Sequence, residues 1–410
     1  MLLLIGVLAV AVLVVMLKFK INIGWIMFVE SGFIAVTAGM NLGKVQEALI
    51  KGLISQKTIG TIAILFFISM IENVMRKSGM IDEIAVNLQH AMKGKLAAAV
   101  TMPIVLGMLP SVGGARFSCP MVQEVLKDEI PNIDKAFINY WYRHFWQDSF
   151  ILYPGIIMTS RLTNIPITTL FASSLIFCLI HFLVGLIWAI PAIYKDKPLQ
   201  KDKIKVKSEF NLKVFIQAVF PIVLIMLTYI AISRFTTYAM EISVLVALVY
   251  LLIIKKNYLA DVKNIVRESF KLNYVIIIMG VMVFTEFLGS SGVMNAAIQA
   301  VSRYNIPIVI LFIILPFLGG LATGLSFTVA SLSFPILIPL LIPLGLGNNV
   351  WIVVLTYVVG FAGVMLSPIH ICGIMTSEYF NVKFRDVLYR VAISEILVLI
   401  PVILLFIILI

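Results

Sequence analysis

Ten stretches of this chain, near residues 2–17, 21–40, 58–75, 138–158, 165–193, 214–233, 236–254, 274–289, 350–376 and 387–410, are apolar enough to cross a bilayer as helices. A spanning helix needs about 20 largely apolar residues, and the shorter stretches reach that length by extending into their polar flanks. So many apolar runs leave lipid as the solvent. Of the 410 residues 61% are hydrophobic and 12% charged, against roughly 25% charged in soluble domains. No water-compatible surface can be made from such a chain, which excludes soluble enzymes, secreted disulfide scaffolds and disordered segments. The expected fold is all-α and polytopic.

Two further apolar stretches, 96–122 and 306–345, are broken in their middles and read as re-entrant hairpins. The net charge of +11 fits membrane topology better than nucleic acid. With the N-terminus outside and each hairpin returning to its own side, 24 Lys and Arg fall in cytoplasmic segments. Only Lys44, Lys51, Lys57, Arg161, Arg234 and Arg303 fall outside, as the positive-inside rule requires. This places the chain in the cell membrane with both termini outside. Two full spans in place of each hairpin would give the same count, so charge alone does not establish re-entry. The basic residue left over is Arg116, inside the first hairpin, where a charge is costly and usually functional. Cys119, Cys178 and Cys372 lie in apolar segments with no pair at metal-ligand spacing. Neither a disulfide framework nor a zinc site is expected.

The chain repeats itself at an offset near 213. Glu72 to Ile81 lies opposite Thr285 to Met294, with Ser78-Gly79 on Ser291-Gly292, and Pro103 lies opposite Pro316. Phe117-Ser118-Cys119-Pro120 then pairs with Leu332-Ser333-Phe334-Pro335, and Ile157-Met158-Thr159-Ser160 with Ile374-Met375-Thr376-Ser377, followed by Asn164 and Asn381. Each half, 1–193 and 214–410, would hold five spans and one hairpin, joined by a charged cytoplasmic linker at 194–213. An odd number of spans inserts the second copy upside down, an architecture of secondary transporters.

The first arm, Leu96 to Leu109, would be about 21 Å of helix, too short for a hydrocarbon core of about 30 Å. Pro110-Ser111-Val112-Gly113-Gly114-Ala115-Arg116 follows; the second hairpin carries Gly319, Gly320, Thr323, Gly324, Ser326 and Thr328. Unwound backbone within a bilayer survives only where protein or a wet cavity satisfies it, so it marks a site. Its helix N-termini suit an anion and its free carbonyls a cation. The candidate substrate-binding residues are Ser111, Gly113, Gly114, Arg116, Ser118, Thr323, Gly324, Ser326 and Thr328. Ser367 and His370 join them from a second kind of break. Na⁺ at the hairpin tips is the metal these oxygens suit, and close packing of small residues is the competing reading. Tyr153-Pro154-Gly155 and Ser367-Pro368-Ile369-His370 mark candidate discontinuous helices, with plain proline kinks as the alternative. For ion coupling the candidates are Glu72 and Glu286, at neighbouring repeat positions. Asp148 is a third, one helical turn from His144 and suited to a pair or relay with it. Glu30, Glu395 and His181 read as packing contacts.

The Ser-Gly helix ends, Ser78-Gly79 and Ser291-Gly292, make the chain resemble the ion transporter superfamily of inverted-repeat permeases, and Leu109-Pro110-Ser111-Val112-Gly113-Gly114-Ala115-Arg116-Phe117-Ser118 and Leu366-Ser367-Pro368-Ile369-His370-Ile371-Cys372 narrow the resemblance. Within it the chain is similar to an uncharacterised permease family, domain of unknown function 401. The resemblance implies scaffold and transport parts in each half, a homodimer formed through the scaffold, and elevator-like movement. The superfamily's divalent-anion carriers place Ser-Asn-Thr at each tip; this chain does not, so di- and tricarboxylate specificity is not implied. The function expected is cation-coupled (Na⁺ or H⁺) symport of a small organic anion. A sodium/proton antiporter is the alternative, and a channel is a weaker one. With no His-Glu-x-x-His, Gly-x-Ser-x-Gly or Cys/His array, no enzymatic activity is expected. The expected partners are an anionic small molecule, the bilayer and a second copy.

Overall fold

The computed structural model describes residues 12, 15–19, 21–92, 94–108, 114–194, 211–258, 260–304, 307–347 and 349–409, without the side chains of 85, 89–91, 116 and 302. Among the described residues it holds nineteen α-helices. The first half gives α1 (Ile23–Thr37), α2 (Leu42–Ile54), α3 (Gln56–Lys77), α4 (Met80–Ala91), α5 (Lys95–Leu106), α6 (Ala115–Leu126), α7 (Asn132–Arg143), α8 (Pro154–Thr163) and α9 (Ile167–Tyr194). The second gives α10 (Leu212–Ile232), α11 (Ala239–Ile254), α12 (Val262–Ser269), α13 (Leu272–Ser291), α14 (Val293–Arg303), α15 (Ile308–Thr323), α16 (Ser326–Leu341), α17 (Val350–Leu366), α18 (Ile371–Tyr379) and α19 (Phe384–Leu409). Side chains set several starts: Asn22, Asn41, Ser55, Asn211 and Asn349 each accept an otherwise unpaired N–H at the first turn of the helix they precede.

Among the described residues seven helical stretches are long and apolar enough to cross a membrane, and four shorter apolar helices accompany them. The chain is an all-α polytopic membrane protein. The span Val350–Tyr379 is 83% buried in its apolar window and stands at the centre, whereas Leu212–Ile232 is 28% buried and faces outward. The first expected span, 2–17, lies almost wholly outside the described residues. The stretch 138–158 breaks before Pro154, at the expected Tyr153-Pro154-Gly155, but the break is longer than the proline alone implies: α7 stops at Arg143, turns occupy 144–152, and α8 begins at Pro154. Pro154 sits at the first helical position, where its fixed φ and missing N–H start a helix instead of kinking one. The stretch 350–376 breaks as expected, over Ser367–His370.

Correspondence between the halves is visible in the backbone. α3 and α13 both end at a left-handed glycine, Gly79 (φ 73°) and Gly292 (φ 76°), and α8 and α18 are both followed by a left-handed asparagine, Asn164 (φ 59°) and Asn381 (φ 52°). Partners are exchanged between the halves. α1 and α2 pack on α13 of the other half, while α11 and α12 pack on α3. Within each half the first hairpin arm packs on the following broken helix, α5 on α7 and α15 on α17. With no hydrophobic drive between helices in lipid, such contacts depend on small residues that admit backbone. A side chain at Gly24 would strike the Ile276 carbonyl, and one at Gly320 the Gly360 carbonyl.

Candidate functional site

The second hairpin turns in two residues. α15 stops at Thr323 because Gly324 takes φ 64°, Leu325 is extended, and α16 starts at Ser326. The tip sits on the break between α17 and α18, where a Cβ on Gly324 would lie 3.1 Å from both Ser367 Oγ and His370 Cα. His370 Nδ1 is 2.7 Å from the Gly324 carbonyl oxygen. Ser367 Oγ accepts the Ile369 N–H at 3.4 Å, and Thr323 Oγ1 donates back to Gly319 O at 2.8 Å. Thr328 is fully buried on α16. Gly324, Ser326, Ser367 and His370, expected to act together, are therefore brought together, with Thr323 and Thr328 flanking them.

The end of the first hairpin's leading arm meets the other break. Gly107, just past α5, lies against the Arg143 carbonyl and accepts a hydrogen bond from the Tyr153 hydroxyl. Gly114 caps α6 and is buried. Ser111, Gly113 and the side chain of Arg116 lie outside what the structure describes. Ser118 on α6 and its repeat counterpart Ser333 on α16 are both completely buried, and neither hydroxyl has a hydrogen-bond partner among the described residues. Arg143, counted from sequence as cytoplasmic, is buried at the end of α7. It joins Lys271 and Arg76 among the charges acting on Glu72, which is also buried.

The two breaks then meet each other. His144, closing α7, and His370, opening α18, place their Nε2 atoms 2.9 Å apart. Gly155 at the start of α8 lies beneath the Tyr357 hydroxyl and 2.9 Å from the Ser326 carbonyl oxygen, measured from an added Cβ. Asn139 Nδ2 donates to Cys119 Sγ and Thr376 Oγ1, each at 3.1 Å, tying α7 to α6 and α18. Tyr140 donates to the Met365 carbonyl at 2.9 Å, fixing α7 against the end of α17.

Asp148 does not pair with His144. Residues 144–149 form turns, not helix, so the four-residue spacing loses its meaning. Instead Asp148 Oδ2 lies 3.4 Å from His181 Nδ1, and His181 Nε2 lies 3.9 Å from Glu395 Oε2. All three are buried, on the first break, α9 and α19. His181 and Glu395, read from sequence as packing contacts, thus stand in line with Asp148, although His181 Nδ1 bonds the Phe177 carbonyl at 2.9 Å and Asp148 Oδ2, His181 Nε2 and the Glu395 oxygens have no hydrogen-bond partner among the described residues. Glu286 is only half-buried and feels Lys51 and Lys57. Beside them a cavity of about 480 Å³ is lined by Lys57, Arg161 and Arg234 among others. Arg161 is paired with Glu241 at 2.5 Å.

Residues 1–409 match the family model described as Protein of unknown function (DUF401). The chain belongs to the DUF401 family. Its fold is similar to that of the Alcanivorax borkumensis YdaH transporter, whose crystal structure reveals an unusual topology. The TM-score is 0.64 at 10% identity, over 90% of this chain and 89% of that one. A search of the curated proteins finds no match. In this DUF401 member the sequence pattern points to the second tip and its break, because glycine, proline and hydroxyl residues cluster there. It misses Cys372, which stands two residues beyond His370 with its Sγ beside both histidines. The His-x-Cys spacing is the signal that was available, but it completes a constellation only with His144, 226 residues away.

Proposed function

We propose that the chain is a secondary active transporter that takes up a small organic anion, a carboxylate, together with H⁺ or Na⁺, by alternating access of an elevator type. One observation carries the reading: two interrupted helices from opposite halves, the second hairpin tip at Gly324 and the end of α5 at Gly107 converge around the His144–His370 contact. Such convergence is how transporters of inverted design build a midplane site. The fold shared with the YdaH transporter supports transport over catalysis. α8, α16 and α18 all start at this convergence, and a helix start favours negative charge. The buried line through Asp148, His181 and Glu395 supports protons over Na⁺ as the coupling ion, since imidazole carries a proton and the three hold few neutral oxygens. Ser118 and Ser333 would supply neutral hydroxyls to substrate or Na⁺. The homodimer and the orientation with both termini outside belong to the same proposal.

The test is uptake of labelled monocarboxylates and dicarboxylates into proteoliposomes, driven separately by a pH gradient, a Na⁺ gradient and membrane potential. Accumulation of at least one carboxylate against its gradient is expected. Proton movement driven by Na⁺, with no carboxylate accumulated, would replace this reading with the antiporter.

The cavity lined by Lys57 and Arg234, with Arg161 offset by Glu241, gives a further expectation, because net positive charge concentrates anions. Arg234→Glu should raise the apparent KM for the anion by roughly three- to tenfold at low ionic strength, with little change in maximal rate. The effect should vanish in ~1 M salt, where the screening length is about 3 Å. A KM change that persists there would show that Arg234 acts by contact instead of by field.

A further inference from the structure

The two histidines that join the halves have their protonation fixed by what surrounds them. His144 Nδ1 lies 2.6 Å from the Tyr140 carbonyl oxygen, and His370 Nδ1 lies 2.7 Å from the Gly324 carbonyl oxygen. A carbonyl only accepts, so both Nδ1 atoms carry hydrogen and donate it. A neutral imidazole has one N–H, so both Nε2 atoms present bare lone pairs. Those lone pairs face each other at 2.9 Å in a buried place. Two unprotonated nitrogens at that distance repel, and a cation between them removes the conflict. Cys372 supplies the third donor: its Sγ and one ring nitrogen from each histidine all lie within 4.8 Å of one another, and all three residues are buried.

We propose that His144, His370 and Cys372 bind a transition-metal ion of the zinc class. Two imidazoles and a thiolate are the donor set that borderline and soft metals prefer to Na⁺ or Mg²⁺. Metal-ligating histidines characteristically donate their second ring N–H to a carbonyl, as both do here. A tetrahedral ion with metal–nitrogen bonds near 2.05 Å holds its nitrogens about 3.3 Å apart, so the two Nε2 atoms need part only by a few tenths of an ångström, while Cys372 Sγ would have to stand about 3.6 Å from each. Three protein donors leave one coordination position open. The ion would join the first half, through His144, to the second, through His370 and Cys372. It therefore bears on how the breaks hold together whatever the chain transports.

The test uses tag-free protein in detergent in which Cys119→Ala and Cys178→Ala leave Cys372 as the sole thiol. After chelation and dialysis, Co²⁺ should produce thiolate-to-cobalt charge-transfer absorption that saturates at one ion per chain. Zn²⁺ should abolish that absorption by displacement and raise the Tm. Cys372→Ala should remove the absorption, and His370→Gln should weaken Co²⁺ binding about 100-fold. If those variants do not fold, the single-thiol protein still decides, because any charge-transfer band in it comes from Cys372. Folded protein that shows no such band with excess Co²⁺, and no Tm change with Zn²⁺, would overturn the proposal. The cation between the two Nε2 atoms would then be a shared proton.

Discussion

Gly320→Leu should cut the yield of folded protein sharply and lower its Tm, while Gly289→Ala should leave yield and Tm unchanged or slightly improved. Both glycines lie within helices, but a Cβ at Gly320 would strike the Gly360 carbonyl oxygen and approach Val364 N at 2.8 Å, both backbone atoms. Nothing lies within 4 Å of a Cβ at Gly289. Backbone cannot swing aside as a flexible side chain does, so relief at Gly320 requires α15 and α17 to separate. Gly363 returns the contact, lying against the Phe317 carbonyl, so the separation would open the seam at two places. The expected cost is about 3 kcal/mol, the upper part of the usual range for overpacking. At Gly289 the added methyl gains about 0.5–1 kcal/mol by restraining the unfolded chain. Fluorescence-detected size exclusion of the detergent-solubilised variants measures both. A monodisperse Gly320→Leu protein with the parental Tm would show that the helices are not held at backbone contact.

Asp148→Asn should abolish pH-driven accumulation of substrate while sparing its equilibration across the membrane. Asparagine keeps the shape of aspartate and loses the proton site, so the line from Asp148 through His181 to Glu395 is cut at its first member. One unit of pH is worth about 1.4 kcal/mol per proton, or a tenfold concentration ratio for one proton per substrate. The expected change is therefore from about tenfold accumulation to about one, with counterflow of labelled against unlabelled substrate intact. Glu395→Gln should act in the same direction, since it removes the other end. Full accumulation in both variants would return the three residues to a structural role and leave Glu72 and Glu30 as the buried carboxylates to test next.

What the sequence reveals and what it hides divide along a physical line. Left-handed backbone has a residue signature, so the paired turns at Gly79 and Gly292, and at Asn164 and Asn381, can be read from repeat alignment alone. The same holds for the second tip, where Gly324 and the hydroxyls around it announce an unwound segment. Side-chain partnerships carry no local signature. The length of the break after α7 was hidden because Phe145, Trp146, Phe150 and Leu152 keep the run apolar although it is not helical. Arg143 looked like a loop residue because charge counts assume that a cation beside an apolar run stays wet. Asp148 was matched to His144 by a helical spacing that the turns at 144–149 cancel. His181 and Glu395 lie on long regular helices whose sequence gives no sign that they face each other.

The exchange of helices between the halves sets an order on synthesis. α1 and α2 leave the ribosome early, yet the surface that covers them, α13, follows more than two hundred residues later. α3 likewise awaits α11 and α12. Until the second half arrives, the buried groups Glu30 on α1 and Glu72 on α3 have to wait in lipid or be shielded by other proteins. The nascent first half is therefore a natural client for an insertion chaperone. Truncations that spare every first-half residue should still be degraded as unfinished molecules.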